Sequence, residues 1–256
     1  MPFTISHAAA ALPFRRTRLV FSAIVVGCMA PDFEYFLHAR IISRVSHTLV
    51  GAFEFSLPAA LVVLTLFYWV MEKPLLALMP ASIQRRVDPR PFTLLPWKRF
   101  LLIISSLMIG IACHLLWDSF THPGMWAVDH IDWFYRSHRV IGHRIPNYEI
   151  AQHLSTLLGL ALLTVSVVHW YRTTPEHGTT IPALQPSTRW KIGALILLSA
   201  ALFGFLRAEA VIGPYYFTVG FLANAVVAFV SFTLLELLLF SLLIRSRMRD
   251  LEPQDA

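Results

Sequence analysis

Residues 100–122 read F-L-L-I-I-S-S-L-M-I-G-I-A-C-H-L-L-W-D-S-F-T-H, an apolar run that ends in three regularly spaced polar residues. An α-helix needs about 20 apolar residues to cross a bilayer, so Phe100–Asp118 predicts a transmembrane helix. His114, Asp118 and His122 lie four residues apart, and each step of four exceeds one helical turn by only about 40°. The three side chains can therefore share one helix face, and this combination is typical of metal ligands.

The composition of the whole chain predicts an all-α, polytopic membrane protein. Of 256 residues, 56% are hydrophobic and only 14% are charged, whereas soluble domains contain about 45–50% apolar residues. We expect five or six transmembrane helices in a single membrane domain over residues 1–256, with the motifs in 1–160 and plainer helices in 161–256. The candidate spans are Leu19–Phe36, Phe53–Met71, Phe100–Asp118, Ile150–Tyr171, Ile192–Val211 and Tyr216–Ile244.

The distribution of basic residues predicts the orientation. Residues 72–99 contain six lysines and arginines but only two acids, and the C-terminal tail contains Arg245, Arg247 and Arg249. Basic loops stay in the cytoplasm. We therefore expect a protein of the cell (inner) membrane whose C-terminus is cytoplasmic and whose loop at 119–149 lies outside. This orientation also accounts for the net charge of +6 without a nucleic-acid partner.

Further histidines and acids lie at the predicted outer ends of the spans. Asp32 and Glu34 interrupt the first candidate span, and His47 precedes the second. His7 joins them if residues 4–14 fold back beside the first span. We therefore predict a metal site of His47, His114, Asp118 and Asp32, with His122 and His7 as further ligands, although Pro123 disfavours helical geometry at His122.

The chemistry expected of such a site is hydrolysis. Three protein ligands and one position for water suit zinc first, with manganese or iron as alternatives. Asp32 or Glu34 is then a ligand, a hydrogen-bond partner of a ligand or the general base. A lipid or phosphoester at the outer face of the bilayer is the expected substrate. Three alternatives stay open: a scaffold or accessory protein with a structural metal, ordinary polar packing of the same residues, and transport, suggested by Arg207, Glu209 and Glu236.

The predicted outer loop is rich in aromatic and basic residues. Trp126, Trp133 and Tyr135 indicate an amphipathic segment at the membrane surface, with a substrate lid as the alternative. Arg139, Arg144 and the neighbouring Arg136 could bind phosphate or anionic lipid headgroups.

Five ordered motifs carry a resemblance to a known family. They are M-P-F-T-I-S-H (1–7), G-C-M-A-P-D-F-E-Y-F (27–36), S-H-T-L-V-G (46–51), P-L-L-A-L-M-P (74–80) and C-H-L-L-W-D-S-F-T-H-P-G (113–124). Together they resemble bacterial integral membrane proteins of domain-of-unknown-function family 4184. The resemblance implies a shared membrane fold and no particular activity.

A more distant similarity concerns the order of the candidate ligands. His7, Asp32, His47, His114, Asp118 and His122 look like the pattern of inner-membrane proteins classed as metal-dependent hydrolases, which are related to helical zinc phospholipase C. The similarity implies a zinc-dependent hydrolase. The chain lacks the N-terminal tryptophan ligand of the soluble enzymes and their full set for three metals, so the implied number is one or two.

Overall fold

A computed structural model describes residues 4–89, 91–140, 142–177 and 184–249. Within these ranges, five helices are long and apolar enough to cross a membrane, which confirms the predicted all-α, multi-pass class. They are α1 (Leu49–Leu78), α2 (Trp97–Ser119), α3 (Asn147–Thr173), α4 (Pro186–Ile212) and α5 (Val219–Arg249).

Helix α1 is not uniform along its length. Its α-helical parts are Leu49–Gly51, Leu57–Leu66 and Glu72–Leu78, separated by π-helical turns at Ala52–Ser56 and Phe67–Met71. Such turns insert a residue into the hydrogen-bond ladder without ending the helix. The span is therefore longer at both ends than the predicted Phe53–Met71.

The first candidate span, Leu19–Phe36, does not form one helix, and the expectation of a crossing there is wrong. The segment contains an α-helix at Phe21–Gly27, a 3₁₀ turn at Ala30–Asp32 and an α-helix at Phe33–His38. Seven residues of α-helix extend only about 10 Å, which is too short to cross a bilayer. Pro31 has no backbone N–H to continue the helix.

Shorter elements precede and connect the spans. Helix Thr4–His7 leads into the 3₁₀ helix Ala8–Arg16, and one turn at Ala81–Gln84 lies between α1 and α2. Between α2 and α3 lie the helix Trp126–His130, the 3₁₀ turn Asp132–Tyr135 and an antiparallel hairpin of β1 (Ser137–Val140) and β2 (His143–Pro146). Arg90, counted above among the inner-loop basic residues, and the side chains of Arg247 and Arg249 lie outside the described residues.

The chain divides into two compact units, of which the first comprises Met1–Phe33, Arg44–Leu64 and Thr93–Trp170. Its core packs the N-terminal segments against α2, with Ala11, Ile24 and Cys28 buried beside Ile109 and Cys113 of that helix. The backbones approach closely where Gly110 faces Ile24, since a Cβ at residue 110 would lie 2.3 Å from the Ile24 carbonyl oxygen. The N-terminal segments are thereby held against the C-terminal half of α2.

Helix α3 contacts the same N-terminal segment. A Cβ at Gly159 would lie 2.8 Å from the carbonyl oxygen of Ser6. Ser6 is fully buried and directly precedes His7, so this contact fixes the position of the first predicted ligand.

The second unit comprises Glu34–Ser43, Thr65–Phe92 and Tyr171–Ala256. Helices α4 and α5 pack against each other, with Gly204 against the backbone of Phe229. Ser199 of α4 donates a hydrogen bond to Glu236 of α5 at 2.8 Å. Arg207 donates to the His38 carbonyl at 3.0 Å, so these polar groups of the last two spans have partners inside this unit.

Candidate metal centre

His114 lies in the last two turns of α2, and its side chain is fully buried. Its Nδ1 lies 2.7 Å from the carbonyl oxygen of Cys28. A carbonyl can only accept, so Nδ1 carries the proton and donates. The lone pair of Nε2 can then bind a metal, and the carbonyl orients the ring in the way that outer hydrogen bonds orient metal-binding histidines.

His47 lies in the turn that leads into α1. Thr48 caps that helix by accepting a hydrogen bond from the Gly51 N–H at 2.9 Å. Nδ1 of His47 lies 3.0 Å from the hydroxyl of Ser46, which is itself fully buried. The ring therefore turns its Nε2 towards His114, and the two Nε2 atoms are 3.3 Å apart.

Two carboxylate oxygens complete a cluster around these nitrogens. His47 Nε2 lies 3.3 Å from Asp32 Oδ1 and 3.5 Å from Asp118 Oδ2. His114 Nε2 lies 3.3 Å from Asp118 Oδ2 and 3.7 Å from Asp32 Oδ1. Metal bonds of about 2.0–2.1 Å to four tetrahedral ligands separate the ligand atoms by about 3.3–3.4 Å, whereas a charge-assisted hydrogen bond is about 2.7–2.9 Å long. The observed spacing matches a ligand shell better than hydrogen-bonded pairs.

Asp118 turns its other oxygen to a second group of donors. Oδ1 lies 3.4 Å from His7 Nε2 and 3.4 Å from His122 Nδ1. The His7 ring stacks on His114 at a centroid distance of 4.0 Å and meets Trp117 edge-on at 5.5 Å. One carboxylate therefore contacts donors on both of its sides.

Several buried polar atoms of the cluster make no hydrogen bond within the described residues. They are His7 Nδ1 and Nε2, Asp32 Oδ2 and Asp118 Oδ1. A buried polar atom without a partner costs free energy, which a bound cation would offset. The donor set thus fits a divalent metal in both its chemistry and its unmet bonding capacity.

Two factors act on the pKa values of the histidines in opposite directions. Burial lowers the pKa, and a nearby carboxylate raises it. Burial opposes the charged form of His47, but the carboxylates of Asp118 and Asp32 beside it raise its pKa to about 9. Burial and the neighbouring His114 lower the pKa of His7 to about 4. Burial also lowers the pKa of His122. The pKa of Asp32 is lowered despite burial, because His114 and His47 favour the carboxylate.

The structure brings together six of the seven predicted site residues. His7, Asp32, His47, His114 and Asp118 form two overlapping groups with ligand atoms within 4.8 Å of one another. His122 lies beside Asp118 although α2 ends at Ser119, because its backbone N–H still bonds to the Asp118 carbonyl at 3.0 Å. Pro123 therefore does not turn it away.

Glu34, predicted as a possible general base, is not in either group of the described residues. Its Oε2 accepts a hydrogen bond from Ser43 at 3.2 Å.

Three contributors were not predicted from the sequence. Ser46 could have been noticed as the hydroxyl neighbour of His47, and Trp117 as the aromatic residue one position before Asp118. The role of the Cys28 carbonyl could not be predicted from the sequence, because every residue has a backbone carbonyl. The Cys28 side chain packs in the core, as expected of a cysteine in an apolar stretch.

Comparison with known families gives one match. The model of the family described as domain of unknown function 4184 matches residues 1–242. The chain belongs to this family. The family 4184 match contains all six clustered residues and the first four spans, together with most of α5. No curated protein and no solved structure matches the chain.

Proposed function

We propose that this family 4184 protein is a membrane-embedded, metal-dependent hydrolase that acts on a phosphoester, such as a lipid headgroup, at the outer face of the cell membrane. The proposal is carried by the spacing of the Nε2 atoms of His47 and His114 and the nearest oxygens of Asp32 and Asp118, 3.3–3.7 Å for the five distances given above. The ordered resemblance to metal-dependent hydrolases supports the same reaction class by analogy.

His47, His114 and Asp118 would hold the ion, with zinc as the first choice and manganese or iron as alternatives. A divalent metal supplies Lewis acidity and lowers the pKa of water to about 7. Asp32 Oδ1 lies 3.7 Å from His114 Nε2, farther than the nearest Asp118 oxygen at 3.3 Å, and its buried Oδ2 has no hydrogen-bond partner among the described residues. We therefore assign Asp32 as the general base that accepts a proton from water. Oδ1 of Asp118, with His7 and His122, offers donors for a second ion.

Helix α2 supports the assignment to the outer face. Lys98 and Arg99 lie in its first turn, whereas His114 and Asp118 lie in its last two turns. These 23 residues extend about 35 Å, close to the thickness of a bilayer. Because basic residues stay cytoplasmic, the cluster would face outwards, where a lipid phosphate can reach it.

The first test is metal content. The wild type, purified in detergent without chelator, should contain at least one equivalent of transition metal by elemental analysis. His114→Ala should lose it, because His114 is the histidine shared by both groups of ligand atoms. His153→Ala is the matched control, because His153 is exposed on α3. A metal-free wild type would end the metal proposal.

The second test is turnover. The probes are bis(4-nitrophenyl) phosphate in detergent and vesicles of phosphatidylglycerol in phosphatidylcholine, assayed for nitrophenol and released headgroup. We expect hydrolysis that stops after chelation and returns with zinc or manganese. Asp32→Asn should keep the metal and lose about 10²–10⁴-fold in rate, the usual contribution of a general base.

The geometry also favours a second candidate, a scaffold with a structural metal. Four protein donors around one point resemble the closed shell of structural zinc, whereas catalytic sites keep one position open. In that case Asp32→Asn would weaken metal binding, and chelation would lower the melting temperature. The wild type would show no hydrolysis of either probe. The Asp32 variant therefore distinguishes a base from a ligand.

A further inference from the structure

The segment between α2 and α3 folds into a small layer with its own core. Ala127, Val128 and Phe134 are buried together, with Tyr148 packed against them. Asp129 Oδ1 accepts hydrogen bonds from the Tyr135 hydroxyl at 2.8 Å and the Gly124 N–H at 3.0 Å. The segment is therefore a defined surface and not an extended connection.

Both ends of this layer are tied to the ends of transmembrane helices. The Ala127 N–H donates to Ser119 Oγ, in the last residue of α2, at 3.0 Å. Asn147, the first residue of α3, donates from its side chain to the Trp133 carbonyl at 2.8 Å and from its backbone to the Arg136 carbonyl at 3.0 Å. Because the ends of spanning helices lie at the headgroup region, these bonds hold the layer at that depth.

The layer presents residues suited to that region. Trp126, Trp133 and Tyr135 are 68%, 52% and 50% exposed, and exposed tryptophan and tyrosine favour the membrane–water interface. Arg139 and Arg144 are also exposed, and neither forms an ion pair with another residue in the part of the chain that the structure describes. Their positive charges are available to an anion.

The hairpin register places these two arginines directly opposite each other. Arg139 of β1 pairs with Arg144 of β2, so both side chains leave the same face of the hairpin. Like charges in directly opposite positions destabilise a sheet. A phosphate between them would remove the repulsion, and the planar guanidinium group binds phosphate through two parallel hydrogen bonds.

We propose that this layer is a docking surface for anionic phospholipid and that Arg139 and Arg144 bind the headgroup phosphate. The two arginines attract the anionic headgroup, and the exposed aromatic residues favour the membrane–water interface. The hydrogen bonds to α2 and α3 hold the layer at the depth of the headgroups. The surface goes beyond the proposed hydrolase, because it binds lipid whether or not the cluster holds a metal.

The test uses the full chain in detergent and counts bound lipid by native mass spectrometry. Phosphatidylglycerol and phosphatidylcholine are titrated separately at low salt. The wild type should bind phosphatidylglycerol about tenfold more tightly, and the Arg139→Ala/Arg144→Ala variant should lose this preference. Arg139→Lys/Arg144→Lys should keep part of it. The matched control is Arg172→Ala/Lys191→Ala, which removes two exposed charges elsewhere and should bind like the wild type.

Two results would overturn the proposal. One is equal phosphatidylglycerol binding by the wild type and the double alanine variant, with both folded by circular dichroism. The other is displacement of the lipid by millimolar inorganic phosphate, which would make the pair a site for soluble anions. The lipid is counted on chelated protein, in which the proposed hydrolase cannot turn over phosphatidylglycerol, so failure of the hydrolase proposal remains distinguishable from failure of this one.

Discussion

At the scale of single residues, the orientation of His114 depends on a backbone atom. Its Nδ1 donates to the Cys28 carbonyl at 2.7 Å, so one tautomer is fixed by a backbone atom that substitution of the Cys28 side chain does not remove. His47 depends instead on a side chain, the hydroxyl of Ser46 at 3.0 Å. The two histidines thus differ in how easily their orientation can be perturbed.

Ser46→Ala should weaken metal binding while leaving the fold intact. The change removes the hydroxyl beside His47 Nδ1, and loss of such an outer hydrogen bond typically costs about 10–100-fold in metal affinity. Competition with a fluorescent zinc chelator measures the affinity. Ser155→Ala on α3 is the control, since that hydroxyl bonds to its own helix, at 3.1 Å from the Gln152 carbonyl. Equal affinities for both variants and the wild type would remove Ser46 from the site.

Metal binding should release a proton at pH 7. The pKa of His47 in the metal-free cluster is raised to about 9, so its ring is protonated below that pH and must become neutral to bind a metal. His7, with a pKa of about 4, is already neutral at pH 7. Apparent affinity should therefore rise about tenfold per pH unit as the pH approaches 9 from below, and level off above it.

Calorimetric zinc titrations in buffers of different ionisation enthalpy count the protons released on binding.

The raised pKa of His47 predicts the opposite pH dependence for the stability of the metal-free protein. Charged His47 contributes stability that is fully present below the unfolded pKa of about 6.5 and lost as pH rises through 9. The melting temperature of the chelated protein should therefore fall across that range. A release of no protons at pH 7 would contradict the assignment of His47 as a ligand.

The residues of the cluster could largely be predicted from the sequence, because ionisable groups at the ends of apolar spans are costly unless they bind a ligand or pair with one another. This cost is what singles out His114, Asp118 and His47. His122 was predicted as a further ligand despite Pro123, and its side chain lies beside Asp118 because its backbone N–H still bonds to the Asp118 carbonyl at 3.0 Å. Glu34 shows the limit, because two residues of separation in a broken helix do not determine which way a carboxylate points.

At the scale of elements, apolar length predicted five spans correctly and failed at Leu19–Phe36. Hydropathy averages over a window and does not register that Pro31 lies in a 3₁₀ turn. The close approach of Gly110 to the Ile24 backbone could not be predicted from a single sequence, because a glycine inside an apolar run does not indicate which segment packs against it. These glycine contacts determine where the ligand-bearing segments lie.

Gly159→Leu tests the contact between α3 and the N-terminal segment. The new side chain would collide with the Ser6 carbonyl, 2.8 Å from the added Cβ, and should displace the neighbouring His7. We expect faster hydrogen exchange over residues 4–16 and a loss of about 1–3 kcal/mol of stability, as for other overpacked sites.

Gly193→Leu is the control for this variant, because a Cβ at residue 193 meets nothing within 4 Å. It should leave exchange in the N-terminal segment unchanged. Similar exchange in the two variants would show that α3 does not hold the segment in place.

At the scale of the whole molecule, the distribution of charge predicts which surface each loop meets. His143→Cys, in the hairpin, should react with a membrane-impermeant maleimide in intact cells. Pro175→Cys, in the linker after α3, should react only after the cells are opened. Both residues are exposed, and a Cys113→Ala background removes the less buried native thiol. The reverse labelling pattern would invert the proposed orientation.

The wide separation of the cluster along the chain has a consequence for biosynthesis. The donors begin at residue 7 and end at residue 122, so the chain must be synthesised past the end of α2 before all of them coexist. Any ion that binds must arrive after α2 has been inserted, from whichever compartment the cluster faces. A chain that received no ion would keep its buried polar atoms without partners, at His7 Nε2, Asp32 Oδ2 and Asp118 Oδ1 among the described residues.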